Sequence, residues 1–391
     1  MRHYLDHAAT TPLRPEARAA WLDASETVGN ASSTHGAGQD ARRLLEESRE
    51  RVAAVLGADP IEIVFTSGGT ESINLALQGM WRSRATGTAA VVMPEAEHHA
   101  TMDTVSALLD DGAKLRRVPV TAHARIDPEV FAARLPGAAL ATALVANNEA
   151  GTINPAAMLA RHAASARVPL HLDAVAALGH VPVSFRAMRG DAADGVGLVA
   201  MSLAGHKIGA PVGVGVLVAA RTARITALLR GGAQQRGLRA GTQDVPGAAA
   251  FATAVELAET EREQEAARLA GLRERLITGI RSAVPSAMLL GDPIERLPGN
   301  AHVLFPGAVG ESLLFLLDVA GVAASTGSAC QAGVAEPSHV VMAMGRSERE
   351  ARSVLRFSLG RTSTVADVDA VLAVIADAYA RASGASTGTR S

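Results

Sequence analysis

Apolar residues in this chain follow two rhythms. Short unbroken runs, such as Ile61-Glu62-Ile63-Val64-Phe65-Thr66 and Val212-Gly213-Val214-Gly215-Val216-Leu217-Val218, predict strands. Further runs at 89–93, 115–120, 139–146, 168–172 and 196–201 predict five more. Between them, apolar positions recur at helical spacing over 40–56, from Ser67-Gly68-Gly69-Thr70 to about 84, and over 98–110, 127–135 and 155–167. Apolar strands alternating with helices predict an α/β fold with a mostly parallel seven-stranded sheet covered on both faces. The run at 212–218 is expected to close that sheet.

The rhythm changes near residue 247. A long charged helix is predicted over about 247–283, with Glu261-Arg262-Glu263-Gln264-Glu265 on a solvated face that spans between domains. Shorter elements follow: a strand near 300–305, a helix at 310–319, helices near 337–352, a strand at 354–358 and a closing helix at 365–382. Two domains are expected, a large one over 15–256 and a smaller α+β one from 1–14 and 257–383, with 384–391 a disordered tail.

Charge and composition narrow the classes. The net charge of −2 leaves no electrostatic footprint for nucleic acid or an acidic membrane. The N-terminus shows no apolar signal region, and no apolar run is long enough to span a bilayer. A cytoplasmic globular enzyme is expected. One cysteine excludes an intramolecular disulfide framework and a Cys-rich zinc site, and no metal is expected.

That cysteine, Cys330, lies among small and turn-forming residues, Ala324-Ser325-Thr326-Gly327-Ser328-Ala329-Cys330-Gln331-Ala332-Gly333, which is loop composition. One of only two lysines, Lys207, sits in apolar, glycine-rich Leu203-Ala204-Gly205-His206-Lys207-Ile208-Gly209, a poor setting for a charged amine. The pair suggests a lysine-bound cofactor working with a thiol nucleophile. Ser67-Gly68-Gly69-Thr70, opening a helix after a strand, reads as a phosphate cradle or a plain glycine turn. Asp173 ends a strand and either faces a ligand crevice or caps the next helix. His98 and His99 start a helix and point in different directions, so they are no chelating pair; one could stack on a ring or move protons. Arg356, in a mostly apolar strand, needs a carboxylate, from a substrate or from within the chain.

Taken in order, these segments resemble the cysteine desulfurases, a pyridoxal-phosphate family of the aspartate-aminotransferase fold (PLP fold type I). The resemblance rests on Tyr4-Leu5-Asp6-His7-Ala8-Ala9-Thr10-Thr11, Gly29-Asn30-Ala31-Ser32-Ser33-Thr34-His35 and Phe65-Thr66-Ser67-Gly68-Gly69-Thr70-Glu71-Ser72. It continues through Asn147-Asn148-Glu149, Gly205-His206-Lys207, Arg239-Ala240-Gly241-Thr242, Ser328-Ala329-Cys330 and Arg356-Phe357-Ser358-Leu359-Gly360. It implies pyridoxal 5'-phosphate bound through Lys207, with Asp173 on the pyridine nitrogen and His98 stacked on the ring. Gly69, Thr70 and His206 would hold the phosphate, and Thr242 would reach the phosphate of a partner subunit in a homodimer with shared active sites. Asn148 and Arg356 would hold the substrate carboxylate. Lys207, Cys330 and His98 are the implied catalytic residues: L-cysteine becomes L-alanine, and sulfur passes to Cys330 as a persulfide and on to a protein acceptor for iron–sulfur assembly or another thiolation pathway.

The chain departs from the family pattern at three positions. Ala176 stands where a Gln usually bonds the cofactor's phenolic oxygen, Ala204 where a Ser often bonds phosphate, with Ser202 close by, and Gln235 where Glu is common. Two alternatives follow: a C–S lyase of the same fold acting on another thio- or seleno-substrate, or a cofactor-poor scaffold.

Overall fold

The computed structural model describes residues 2–327 and 336–384. Seven strands form the main sheet: β1 (Ile63–Thr66), β2 (Ala90–Pro94), β3 (Lys114–Val118), β4 (Ala138–Leu144), β5 (Pro169–Asp173), β6 (Gly197–Ala204) and β7 (Gly215–Ala219). Their order is β1-β7-β6-β5-β4-β2-β3. Strand β7 runs antiparallel to both neighbours, and the other pairs are parallel. The run at 212–218 was expected to close the sheet. It forms β7, one place in from the edge, and β1 is the edge strand. Strands β4 and β6 are buried along their whole length, because helices cover both faces.

The sheet's two edges are blunted differently. At β3 the exposed residues are Lys114 and Arg117, charges that oppose pairing with another strand. At β1 side chains satisfy the backbone. The Arg49 guanidinium, on α1 (Gly36–Leu56), donates to the Ile63 carbonyl, and Arg236 donates to the Ile61 carbonyl. Gln235 accepts from the Phe65 N–H and donates to the Phe65 carbonyl, both at 2.7 Å. An amide can do both; the carboxylate expected at this position only accepts.

Three further helices border the site or connect the cores: α2 (Gly69–Arg82), α3 (His99–Asp110) and α4 (Val245–Ala283). The first half of α4 is built on small residues, Ala248, Ala249, Ala250, Ala252 and Ala254, which let it approach α1 and the helix Pro15–Ser25 closely. All of these but Ala249 join the core around the main sheet. Farther along, Leu269, Leu272, Leu276, Ile277 and Ile280 join a second core. The charged stretch between them is not simply solvated: Glu261 pairs with Arg14, and Arg268 donates to the carbonyls of Gly360, Arg361 and Ser363.

The second core packs under an antiparallel sheet of β8 (Met288–Leu290), β9 (Asn300–Leu304) and β10 (Val354–Ser358), with β9 central. Helices α5 (Gly310–Val319) and α6 (Val365–Gly384) cover it. The helical expectation over 337–352 resolves into two short helices, His339–Ala343 and Glu348–Ala351. The N-terminal strand His3–Tyr4 pairs with Val322–Ala323, and Asp6 bridges to Ser358. This anchoring carries residues 6–9 to the gap between the two cores. Among the described residues no helix is long and apolar enough to cross a membrane.

Candidate active site

A cavity of about 560 Å³ opens between the two cores, beyond the carboxyl ends of β5 and β6. Lys207, Asp173, His98, Gly69, Thr70, His206, Asn148 and Arg356 all line it. Thr242 does not: it is exposed on the surface. Cys330 lies outside the described residues, although Ser325, Thr326 and Gly327, just before that segment, border the cavity.

Lys207 follows β6 in a short 3-10 turn, Gly205–Lys207. Its amine donates to the carbonyls of Ala8 and Ala9. Burial, with the Arg356 guanidinium nearby, pulls its pKa down to about 8. Asp173 ends β5, accepts from the Val175 N–H at 2.9 Å, and is pushed up to about 6 by burial. A carboxylate at this depth needs a cationic partner. His98 caps α3, and its Nδ1 accepts from the Ala100 N–H at 3.1 Å. Burial beside Lys207 holds its ring at about 4, so it is neutral and carries its proton on Nε2.

The opposite wall is the start of α2. Among the described residues no side chain caps this helix at Gly68, which leaves its first N–H groups open to a ligand. A Cβ at Gly215 would sit 2.6 Å from the Gly68 Cα, so bare backbone lets β7 support the turn. Glu71 accepts from the Ser67 N–H at 2.6 Å and pairs with Arg239 at 3.0 Å, which docks the Arg239–Thr242 segment on the same turn.

Arg356 resolves its two readings by combining them. Its Nη2 pairs with Asp6 at 2.9 Å and its Nη1 donates to the Asn148 carbonyl at 2.9 Å, yet it also lines the cavity. Its Nε and the Asn148 Oδ1 are buried with no partner among the described residues. Buried polar atoms are normally paired, so both suit a ligand with a carboxylate and a donor. Ser325, which leads into the Cys330 segment, pairs backbone to backbone with Arg356.

The chain matches the family model "Aminotransferase class-V" over residues 3–371. It is 46% identical over 388 residues to an IscS-like cysteine desulfurase of Mycobacterium tuberculosis, covering 97% of this chain and 96% of the relative. It is 39% identical to the cysteine desulfurase IscS of Methanosarcina thermophila, covering 95% of this chain and 90% of the relative. A solved NifS-like protein superposes with a TM-score of 0.89 at 32% identity, over 97% of this chain and all of that one. The chain belongs to the cysteine desulfurases. Members of this family are pyridoxal-phosphate enzymes of the aspartate-aminotransferase fold, and the seven-stranded sheet is the large-unit sheet of that fold.

The desulfurase's departures from its family pattern now have physical settings. Ala176 lines the cavity with a bare methyl group. Ala204 borders the start of α2, where Gly69 would bring a Cβ within 3.5 Å of it. Ser202 does not substitute for a serine there. Its hydroxyl bonds His171 Nε2 at 2.8 Å, and His171 Nδ1 bonds Thr142 Oγ1 at 2.9 Å, a buried chain across three strands. Several residues escaped the sequence reading: Asp6 as the partner of Arg356, and His7, His180 and His339 as cavity lining, while His99, read with His98 as a candidate, lines the cavity too. For Asp6 the opening motif marked its segment, but nothing in the sequence marked its pairing with Arg356. For His339 there was none, because it enters the cavity from a five-residue helix too short to show a periodic pattern.

Proposed function

We propose that this desulfurase releases L-alanine from L-cysteine and takes the sulfur on Cys330 as a persulfide, for transfer to a protein acceptor. The observation that carries the reading is that Lys207, Asp173, His98 and Arg356, from distant parts of the chain, line one cavity between two cores.

The residues present fit pyridoxal phosphate. Lys207 has a lowered pKa suited to a covalent bond with an aldehyde, and buried Asp173 lacks the cation that a pyridinium nitrogen would supply. Neutral His98 suits stacking on the ring, while Gly69, Thr70 and His206 suit the phosphate. When bound, the cofactor withdraws electrons from the Cα of an attached amino acid. The rest falls to the chain. Arg356 and Asn148 hold the substrate carboxylate, with Asp6 fixing the guanidinium plane. Lys207 Nζ takes the Cα proton and returns it to Cα after the sulfur has left. The Cys330 thiolate attacks the substrate sulfur: an S–S bond forms, the C–S bond breaks, and its electron pair stays on Cβ, which takes a proton to become the methyl of alanine. The thiolate is required because the neutral thiol is a poor nucleophile.

Thr242 is exposed rather than turned into its own chain's cavity, and Val212 and Leu229, earlier in the chain, are exposed apolar residues. This supports a homodimer in which Thr242 completes the partner's phosphate site. A cytoplasmic location and an acceptor in iron–sulfur assembly or thiolation complete the reading.

Cys330→Ala tests it. Alanine formation from L-cysteine is expected to fall by at least about a hundredfold, with the visible band of the bound cofactor retained. A variant that still consumes L-cysteine, releasing sulfide with pyruvate and ammonia, would replace the reading with a simple C–S lyase.

A further inference from the structure

The cavity holds a base that the reading above does not use. His339 lines it, and its Nε2 lies 2.8 Å from the Glu97 carbonyl oxygen. A carbonyl only accepts, so Nε2 carries the proton and Nδ1 carries a lone pair. The ring stands edge to face with His99, centroids 4.9 Å apart, and His99 lines the same cavity. His98, by contrast, has no spare lone pair: its Nδ1 is occupied by the Ala100 N–H that starts α3. Protonating it would cost that cap. Lys207 is committed to the cofactor and to Cα.

Other charges around His339 do not block this use. Glu97 directs its own carboxyl to the Leu144 N–H, at 3.0 Å, and burial pushes it up to about 8, so it is mostly protonated at neutral pH. Glu149 is taken by the Ser338 hydroxyl next to His339. From α3 the facing groups are His98 and His99.

We propose that His339 Nδ1 is the proton acceptor for a thiol in this cavity. The S–H bond breaks, an N–H bond forms at Nδ1, and a thiolate remains. The imidazolium is stabilised by its Nε2–H bond to the Glu97 carbonyl, and its proton then serves the Cβ of the departing alanine. No oxidant or reductant is needed. The inference rests on the proposed desulfurase reading for its purpose, but the proton transfer itself is readable without turnover. The thiol is either that of Cys330 or that of a bound ligand.

His339→Gln keeps a donor for the Glu97 carbonyl and removes the base. Because the chain has a single cysteine, iodoacetamide uptake by the holoenzyme reads Cys330 alone. If Cys330 is the source, the variant's uptake at neutral pH falls roughly tenfold and its pH midpoint moves up. The ligand arm uses 3-mercaptopropionate, which has no amine and cannot be turned over, on a Cys330→Ala background. If the ligand is the source, its binding raises the ultraviolet thiolate band, and adding His339→Gln abolishes the rise. A response in either arm, with cofactor content unchanged, supports the assignment and names the thiol. No response in both overturns it. Should His339→Gln lose the cofactor, ring-nitrogen NMR of the unaltered holoenzyme decides. Nδ1 gaining a proton as Cys330 ionises or as 3-mercaptopropionate binds supports the assignment, and an Nδ1 unmoved by both overturns it. Alanine formation by unaltered protein, assayed alongside, separates failure of this inference from failure of the desulfurase reading.

Discussion

Arg356 shows how one buried charge is kept available. Its pairing with Asp6 and the Asn148 carbonyl fixes the guanidinium plane, while Nε has no partner among the described residues. Losing a charge-assisted bond costs about 1.5–3 kcal/mol. Asp6→Asn is therefore expected to raise KM for L-cysteine roughly tenfold or more while kcat stays within about twofold, because the bond orients a binding group. Steady-state kinetics at fixed cofactor loading check this, and an unchanged KM would show that Arg356 needs no such support. Arg356 was legible in the sequence as a guanidinium in want of a carboxylate. Its partner was not, because Asp6 and Arg356 are 350 positions apart and meet only through the bridge between Asp6 and Ser358.

At the scale of elements, the main sheet was the most legible part of the chain. Its buried strands are continuous apolar runs, and that pattern depends on burial alone. Strand order and edge protection depend on tertiary contacts and were not legible: the run at 212–218 looks like a closing strand, yet β1 lies outside it. Gln235 then does for β1 what a neighbouring strand would do, with one bond in each direction to Phe65. Gln235→Ala removes both and leaves a part-buried edge unpaired. It is expected to lower stability by about 1–3 kcal/mol and to promote aggregation through the freed edge. Denaturant unfolding and light scattering check this. A variant as stable and as monodisperse as the parent would show that Arg49 and Arg236 protect the edge alone.

At the scale of the whole molecule, the cavity exists because α4 belongs to two cores and the N-terminal segment returns to β10. The cavity's lining is shared between residues that no local pattern connects, so the ordered set of motifs pointed to it where spacing alone left each reading open. The proposed dimer extends the sharing across subunits. Lys207→Ala and Thr242→Asp should each be poorly active alone. Mixed and reassembled, they should regain activity, up to about a quarter of the parent's under random pairing, because each mixed dimer contains one complete site. No gain on mixing, with exchange verified by mass, would place Thr242 outside the partner's site. Cys330 itself was legible as a lone thiol among turn residues, and it lies outside the described residues, so chemistry has to test it.

The most direct test adds L-cysteine to the purified, pyridoxal-phosphate-loaded protein and measures alanine together with sulfur bound to Cys330 by mass spectrometry. The expected result is a visible band that changes on addition, about one sulfur gained on Cys330 in a single turnover without reductant, and matching alanine. Alanine formed with no sulfur on Cys330 would contradict the persulfide account, and a loaded protein that forms no alanine would contradict L-cysteine as its substrate.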